Sequence, residues 1–233
     1  MRHKISKICA AVMAAALLAG AQPLYAVPTY GTEMPEKNKG EVGYQSHIIF
    51  RRDMTSPNGR LQSAQNYLDI SYSPLDWLTL DGKIGTGDLF RKGGDHPKVD
   101  FGYGFAGGYG FRVKALDDAA NRVKVVAGFH HISVHPPAKN IYGDKHEAIL
   151  DDWEASIVAS RSIGIFVPYA GGTAGFNDLI YWTNEIDRKV RAARYCAGVV
   201  AGCSVRASRD ISINVEGHFI DETSLSTGVY CKF

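Results

Sequence analysis

Residues 101–113 read FGYGFAGGYGFRV. Phe101, Tyr103, Phe105, Tyr109, Phe111 and Val113 share one parity, whereas Gly102, Gly104, Ala106, Gly108, Gly110 and Arg112 share the other. Successive side chains of a strand point to opposite faces, so this segment has one aromatic face and one face of tiny or charged side chains. A soluble sheet gains nothing from a row of glycines, which weaken strands. Crowding inside a narrow barrel supplies a steric reason for them.

The same period recurs on both sides of this stretch, and no segment keeps a helical period. Ile211, Ile213, Val215 and Phe219 oppose Ser212, Asn214, Glu216 and His218; Leu225, Val229, Cys231 and Phe233 oppose Ser224, Ser226, Tyr230 and Lys232. Ten strands are expected, at about 41–52, 64–73, 77–86, 100–115, 122–134, 147–160, 165–174, 192–206, 210–220 and 223–233, with eight as the alternative count. Their connections alternate. Those near Pro74, Asp117, Ser162 and Ser208 are short, and those at about 53–63, 87–99, 135–146 and 175–191 are long and polar. Short periplasmic turns and long external loops are the habit of transmembrane barrels, and an even strand number brings both termini to the periplasmic side.

The apolar-parity aromatics form two groups. Tyr44, Tyr72, Phe111, Tyr169 and Phe233 fall at one set of strand ends, and Phe50, Phe101, Phe129, Trp153, Tyr195 and Phe219 at the other. The ten residues from Phe101 to Phe111 span about 33 Å of strand, or roughly 25 Å after a tilt near 40°. That is the height of an apolar band between two girdles. The expected girdle includes Tyr44, Tyr72, Phe101, Phe111, Trp153 and Phe233. The fold class is therefore all-β, a closed antiparallel up-and-down transmembrane barrel. A soluble, lipocalin-like periplasmic barrel is the alternative that alternation alone leaves open.

Arg2, Lys4 and Lys7 precede an apolar run from Ile8 to Leu18 and small residues before Tyr25-Ala26. This is the layout of a secretory signal peptide over residues 1–26, cut after Ala26 or after Ala21. The run is too short for a spanning helix, which needs about 20 apolar residues. Removing three basic residues takes the formal charge from +2 to −1, which argues against a nucleic-acid partner. Residues 27–40 read as a flexible leader and 41–233 as one barrel domain. Cys196, Cys203 and Cys231 are odd in number and read as small wall residues.

Together, the signal peptide, the alternating ten-residue segments, the glycine-aromatic strand, the Pro168-Tyr169-Ala170-Gly171-Gly172 strand start and the terminal Phe233 resemble the small outer-membrane β-barrel superfamily of Gram-negative bacteria. The resemblance covers 41–233. It implies an outer-membrane location, lipid and lipopolysaccharide as neighbours, and the barrel-assembly machinery as a partner that reads the last strand. It leaves any external-loop ligand unspecified, because the architecture hosts many activities.

By parity the lumen holds Asp69, Asp81, Lys83, Arg112, Lys114, Arg122, Lys124, Glu154, Arg206 and Glu216, with His47, Arg51, His130, Asp152 and His218 among others. Arg112, Lys114, Arg122 and Lys124 gather near the periplasmic mouth, and Asp69 lies beside Asp81 or Lys83 depending on register. Charges in a water-poor lumen must be paired, so an interlocked network that fills the barrel is the leading expectation, and a narrow anion-preferring pore the other. A wide porin needs about 16 strands.

Histidines 130, 131, 135 and 146, with Asp144, carry no tight metal-binding motif, and no metal or other cofactor is expected. The superfamily includes surface proteases and lipid A deacylases. The deacylases use a His-x-Ser-Asn stretch; His131-Ile132-Ser133-Val134 lacks its Asn, and the paired rim aspartates of the proteases are not matched. The expected role is structural or surface-interacting and not catalytic, with an outer-membrane hydrolase of lipid A or peptides as the alternative.

Overall fold

The structure, a computed structural model, describes residues 31–55, 59–92 and 98–233. The expected signal peptide and the first part of the leader lie outside the described residues. Fourteen strands follow: β1 (Gly40–Asp53), β2 (Arg60–Leu75), β3 (Leu78–Gly87), β4 (Phe90–Lys92), β5 (Val99–Asp100), β6 (Gly104–Asp118), β7 (Val123–His135), β8 (Lys139–Ile141), β9 (Asp144–Arg161), β10 (Phe166–Thr183), β11 (Ile186–Ala192), β12 (Ala197–Arg206), β13 (Ile211–Phe219) and β14 (Glu222–Lys232). Ten of them close an antiparallel barrel in the order β1-β14-β13-β12-β10-β9-β7-β6-β3-β2. The seam closes from Glu41↔Lys232 to Arg52↔Glu222, and β1 meets β2 at Gly40↔Tyr72 and Asp53↔Arg60.

The four remaining strands are short and lie at the end away from the termini. β4 pairs with β2 and β5 with β4, β8 pairs with β9, and β11 folds back on β10. The connections at the terminal end are tight turns. All ten expected barrel strands are present, and the long loops add the small strands that alternation in short segments does not reveal.

The outer face carries the apolar parity. Ile70, Tyr72, Leu80, Ile84, Phe111, Ile157, Ile213 and Leu225 are exposed on it, while Asp69, Ser71, Thr79, Arg112, Ser156, Ser212 and Ser224 of the same strands are buried inside. Polar inside and apolar outside is the reverse of a soluble barrel and the pattern of a membrane-spanning one. Several inward glycines sit where a side chain has no room. A Cβ on Gly202 would meet the Tyr169 hydroxyl at 2.5 Å, so the glycine seats that ring in the lumen.

Two girdle expectations change. Phe101 lies outside β6, because Gly102 adopts φ +70° and breaks the alternation there; the ring is fully buried and packs edge-on against Tyr181 at 6.5 Å. Tyr169 also turns inward. Tyr44, Tyr72, Phe111, Trp153 and Phe233 lie on the outer parity, Tyr44 half-buried and the others exposed.

The leader is a second departure. Residues 31–39, expected as part of a flexible segment, enter the barrel at the terminal end. Thr32 is buried with its hydroxyl 2.5 Å from that of Ser160, and Met34 packs against Val126, Val158, Tyr169 and Val200. Proline, glycine and lysine content marked this stretch as loop. It could not show that the barrel offers the loop an apolar niche and a polar partner.

Candidate functional site: the lumen

Three layers fill the barrel. The lowest is built on the N-terminal segment. Glu33 receives two 3.0 Å hydrogen bonds from Arg206, with Lys124 and Lys232 at 3.8 and 3.9 Å, and its carbonyl accepts from Arg112 at 2.8 Å. Glu33 lies outside the spanning strands. Burial pushes its carboxyl up, but the Arg206 hydrogen bond and the nearby Lys124 and Lys232 outweigh this and hold it below the ordinary value.

The middle layer is a set of ion pairs. Register places Asp69 opposite Lys83 and Ser71 opposite Asp81, and the Asp69 to Lys83 separation is 3.7 Å. Lys83 also bonds Gln45. Arg112 grips Asp81 at 2.8 and 3.0 Å, and His130 approaches Asp81 at 3.5 Å. A cavity of about 40 Å³ lies among Glu33, Glu41, Asp69, Asp81, Arg112 and Tyr230, room for no more than a few waters. Higher up, Arg52 bridges Asp152 at 2.7 Å and Glu222 at 2.6 Å. Glu216 holds His218 at 2.7 Å and receives the Tyr169 hydroxyl at 2.6 Å. Ser226, His47 and Glu222 stand in a chain at 3.2 and 3.3 Å. This is a serine, histidine and carboxylate series, yet all three are buried within the wall packing, so it serves as lumen filling.

The third layer, at the end with the long loops, is apolar. Ile49, Leu61, Tyr67, Leu89, Val99, Phe101, Val134, Leu150, Leu179 and Tyr181 form one buried cluster. Arg91 from β4 lies within it, its guanidinium 4.4 Å from the Tyr181 ring centroid. Close packing of such side chains leaves few voids as large as a water molecule.

Solved structures with likeness to this chain include outer-membrane barrels of several kinds. An outer membrane channel from Pseudomonas putida F1 is 12% identical, with a TM-score of 0.46 over 89% of this chain and 100% of that one. The translocator domain of the autotransporter NalP from Neisseria meningitidis is 8% identical, with a TM-score of 0.44 over 98% and 96%. The outer membrane protease OmpT from Escherichia coli is 8% identical, with a TM-score of 0.38 over 88% and 97%. No family model and no curated protein matches the chain. Likenesses this distant do not distinguish one activity from another, so the role must be argued from the chain's own residues.

Of the lumen residues chosen by parity, Asp69, Asp81, Lys83, Arg112 and Glu216 meet in the middle layer. Glu154 faces inward opposite His130. Lys124 and Arg206 gather on Glu33. Lys114 and Arg122 do not join them: a register shift follows Lys114, which pairs with Asp117 at 3.1 Å, and Arg122 is exposed in the turn at φ +57°. The Arg52 bridge was missed because a bulge between Ile49 and Arg51 reverses parity, so Arg52 faces inward and Arg51 outward. The bulge has no signature in the sequence. Among the described residues no group of three metal-ligating side chains gathers; His130 and His146 turn inward, and His131 and His135 outward.

Proposed function

We propose that the chain is an integral outer-membrane barrel with an occluded lumen, serving as a structural or surface-interaction protein and not as an open channel. The observation that carries this reading is the stack of three fillings across one bore: the N-terminal segment, the paired charges and the apolar cluster. An eight- to ten-stranded barrel is only just wide enough to be filled by its own side chains. Added loop structure occupies the end opposite the termini, where the resemblance places the cell exterior, and leaves β8 and β11 as the parts free to meet partners. Tyr142, Ile186 and Val190 are exposed there beside Arg188 and Lys189. Outer-membrane lipid, lipopolysaccharide and the assembly machinery are the expected neighbours, the last through the strand ending at Phe233.

Planar-bilayer recording on the refolded protein tests the reading. The expected result is no steady conductance at neutral pH. Stable anion-selective steps would overturn it in favour of a narrow pore through the basic groups of the lower lumen.

A further inference from the structure

The tight turns of the terminal end, the periplasmic side of a transmembrane barrel, enclose a second cavity next to the Glu33 layer. It lies between the β6-β7 and β9-β10 turns, has a volume of about 360 Å³, and is lined by Asp117, Asp118, Arg122, Lys124, Ser162 and Arg206 among others. The cavity among the ion pairs of the middle layer holds only about 40 Å³, whereas this one has room for a ligand of many atoms.

Its charges do not cancel. Lys124 and Arg206 share the single Glu33 carboxylate at 3.8 and 3.0 Å, and their side chains remain 29% and 36% exposed, so part of each cation is open to the cavity. Arg122 has no carboxylate within 4 Å among the described residues. The two aspartates of the lining are already engaged. Asp117 pairs with Lys114 at 3.1 Å, and Asp118 accepts from Ala120 N, Asn121 N and Asn121 Nδ2 at 3.0, 3.0 and 2.7 Å within its own turn. Three cations therefore face one carboxylate. They are also held in place: the Arg122 carbonyl accepts from Ser162 N at 3.0 Å, and Ser162 Oγ accepts from Arg206 Nη2 at 3.1 Å, which ties both turns to β12.

We propose that this cavity is a phosphate-binding site facing the periplasm. The donor set selects the ligand class. Two guanidinium forks, an ammonium and a hydroxyl offer more N–H and O–H donors than one carboxylate can accept, whereas a phosphate group brings several acceptor oxygens to a charge-assisted, bidentate contact. Its negative charge also meets the surplus of cation over Glu33. The phosphate comes either from solution or from the headgroup of an inner-leaflet phospholipid. Ile163 and Ile165, 59% and 53% exposed on the β9-β10 turn, give the second source an apolar shoulder for its acyl chains. The site goes beyond the closed-lumen reading and stands whether or not the lumen conducts.

The refolded full-length protein, in a neutral sugar detergent that carries no phosphate, is titrated with inorganic phosphate by calorimetry. Retention of monomeric dihexanoyl phosphatidylglycerol is measured in parallel by native mass spectrometry. Saturable one-site binding below about 1 mM is expected for at least one probe, and the tighter of the two identifies the source. Arg122→Asn suits the φ of +57° at that position and is expected to weaken binding at least about 10-fold, as is Lys124→Gln. Arg209→Gln removes the same charge from the β12-β13 turn, outside the cavity lining, and should leave the affinity within about twofold of wild type. Each variant is first shown to be folded by its heat-modifiable migration. Absence of saturable binding for both probes, or equal losses in Arg122→Asn and Arg209→Gln, overturns the proposal. Conducting steps in a planar bilayer would overturn the closed lumen alone, so the two readings fail separately.

Discussion

Glu33, in the N-terminal segment that precedes β1, holds Arg206 of β12 through two 3.0 Å hydrogen bonds. The link fastens the N-terminal segment inside the barrel, so the segment's release follows the protonation of one carboxylate. The folded state holds that carboxyl below its ordinary value. Its contribution is therefore fully present above about pH 4.3, the unfolded Glu value, and is lost as pH falls through the lower folded value. Limited proteolysis of the refolded protein is expected to spare residues 31–39 at pH 7 and to cut there on acidification. Glu33→Gln should be cut at both pH values.

Arg52 sits between Asp152 and Glu222, with all three side chains largely removed from water. Removing the cation leaves two buried carboxylates facing each other. Arg52→Ala is expected to cost about 3–5 kcal/mol, read as a lower urea midpoint for unfolding from vesicles. Arg51→Ala, one residue away and outside the barrel, should leave the midpoint close to that of wild type, because its pairing with Asp53 is made at the solvent-exposed surface.

Phe233 and Gly40 close the seam. Their backbones exchange hydrogen bonds of 2.9 and 3.1 Å, and the Phe233 ring occupies the space where a Gly40 side chain would start. Gly40→Leu must displace the ring, so it should lower the fraction of protein that migrates as folded barrel in unheated gels. Gly164→Leu, in an open turn with nothing near its Cα substituent, tests a strained backbone without touching the seam and should leave that fraction closer to wild type.

Cys196 is an exposed free thiol and Cys203 a half-buried one. Cys196 follows the long β11 excursion, whereas Cys203 lies low on the barrel wall opposite Pro168. A membrane-impermeant maleimide added to intact cells is expected to label Cys196 and not Cys203. Loss of labelling in Cys196→Ser confirms the site; labelling confined to disrupted cells would reverse the assigned orientation.

The sequence by itself determined the barrel. Strand alternation is local, with a period of two set by backbone geometry, so the ten segments, their order and the apolar outer face could be read without coordinates. Inward glycines and the pairing of Asp69 with Lys83 or Asp81 followed from the same parity. Only the tertiary structure decided what fills the bore and what meets on its outside. A single-residue bulge exchanged Arg51 for Arg52, a glycine at positive φ turned Phe101 inward, and the leader found a niche between distant strands. Ser133 and Asp151 are 18 residues apart and became neighbours only through the β7-β9 register. Parity tells which face a side chain takes, whereas register, bulges and loop paths decide what it meets there, and those depend on contacts across the whole barrel.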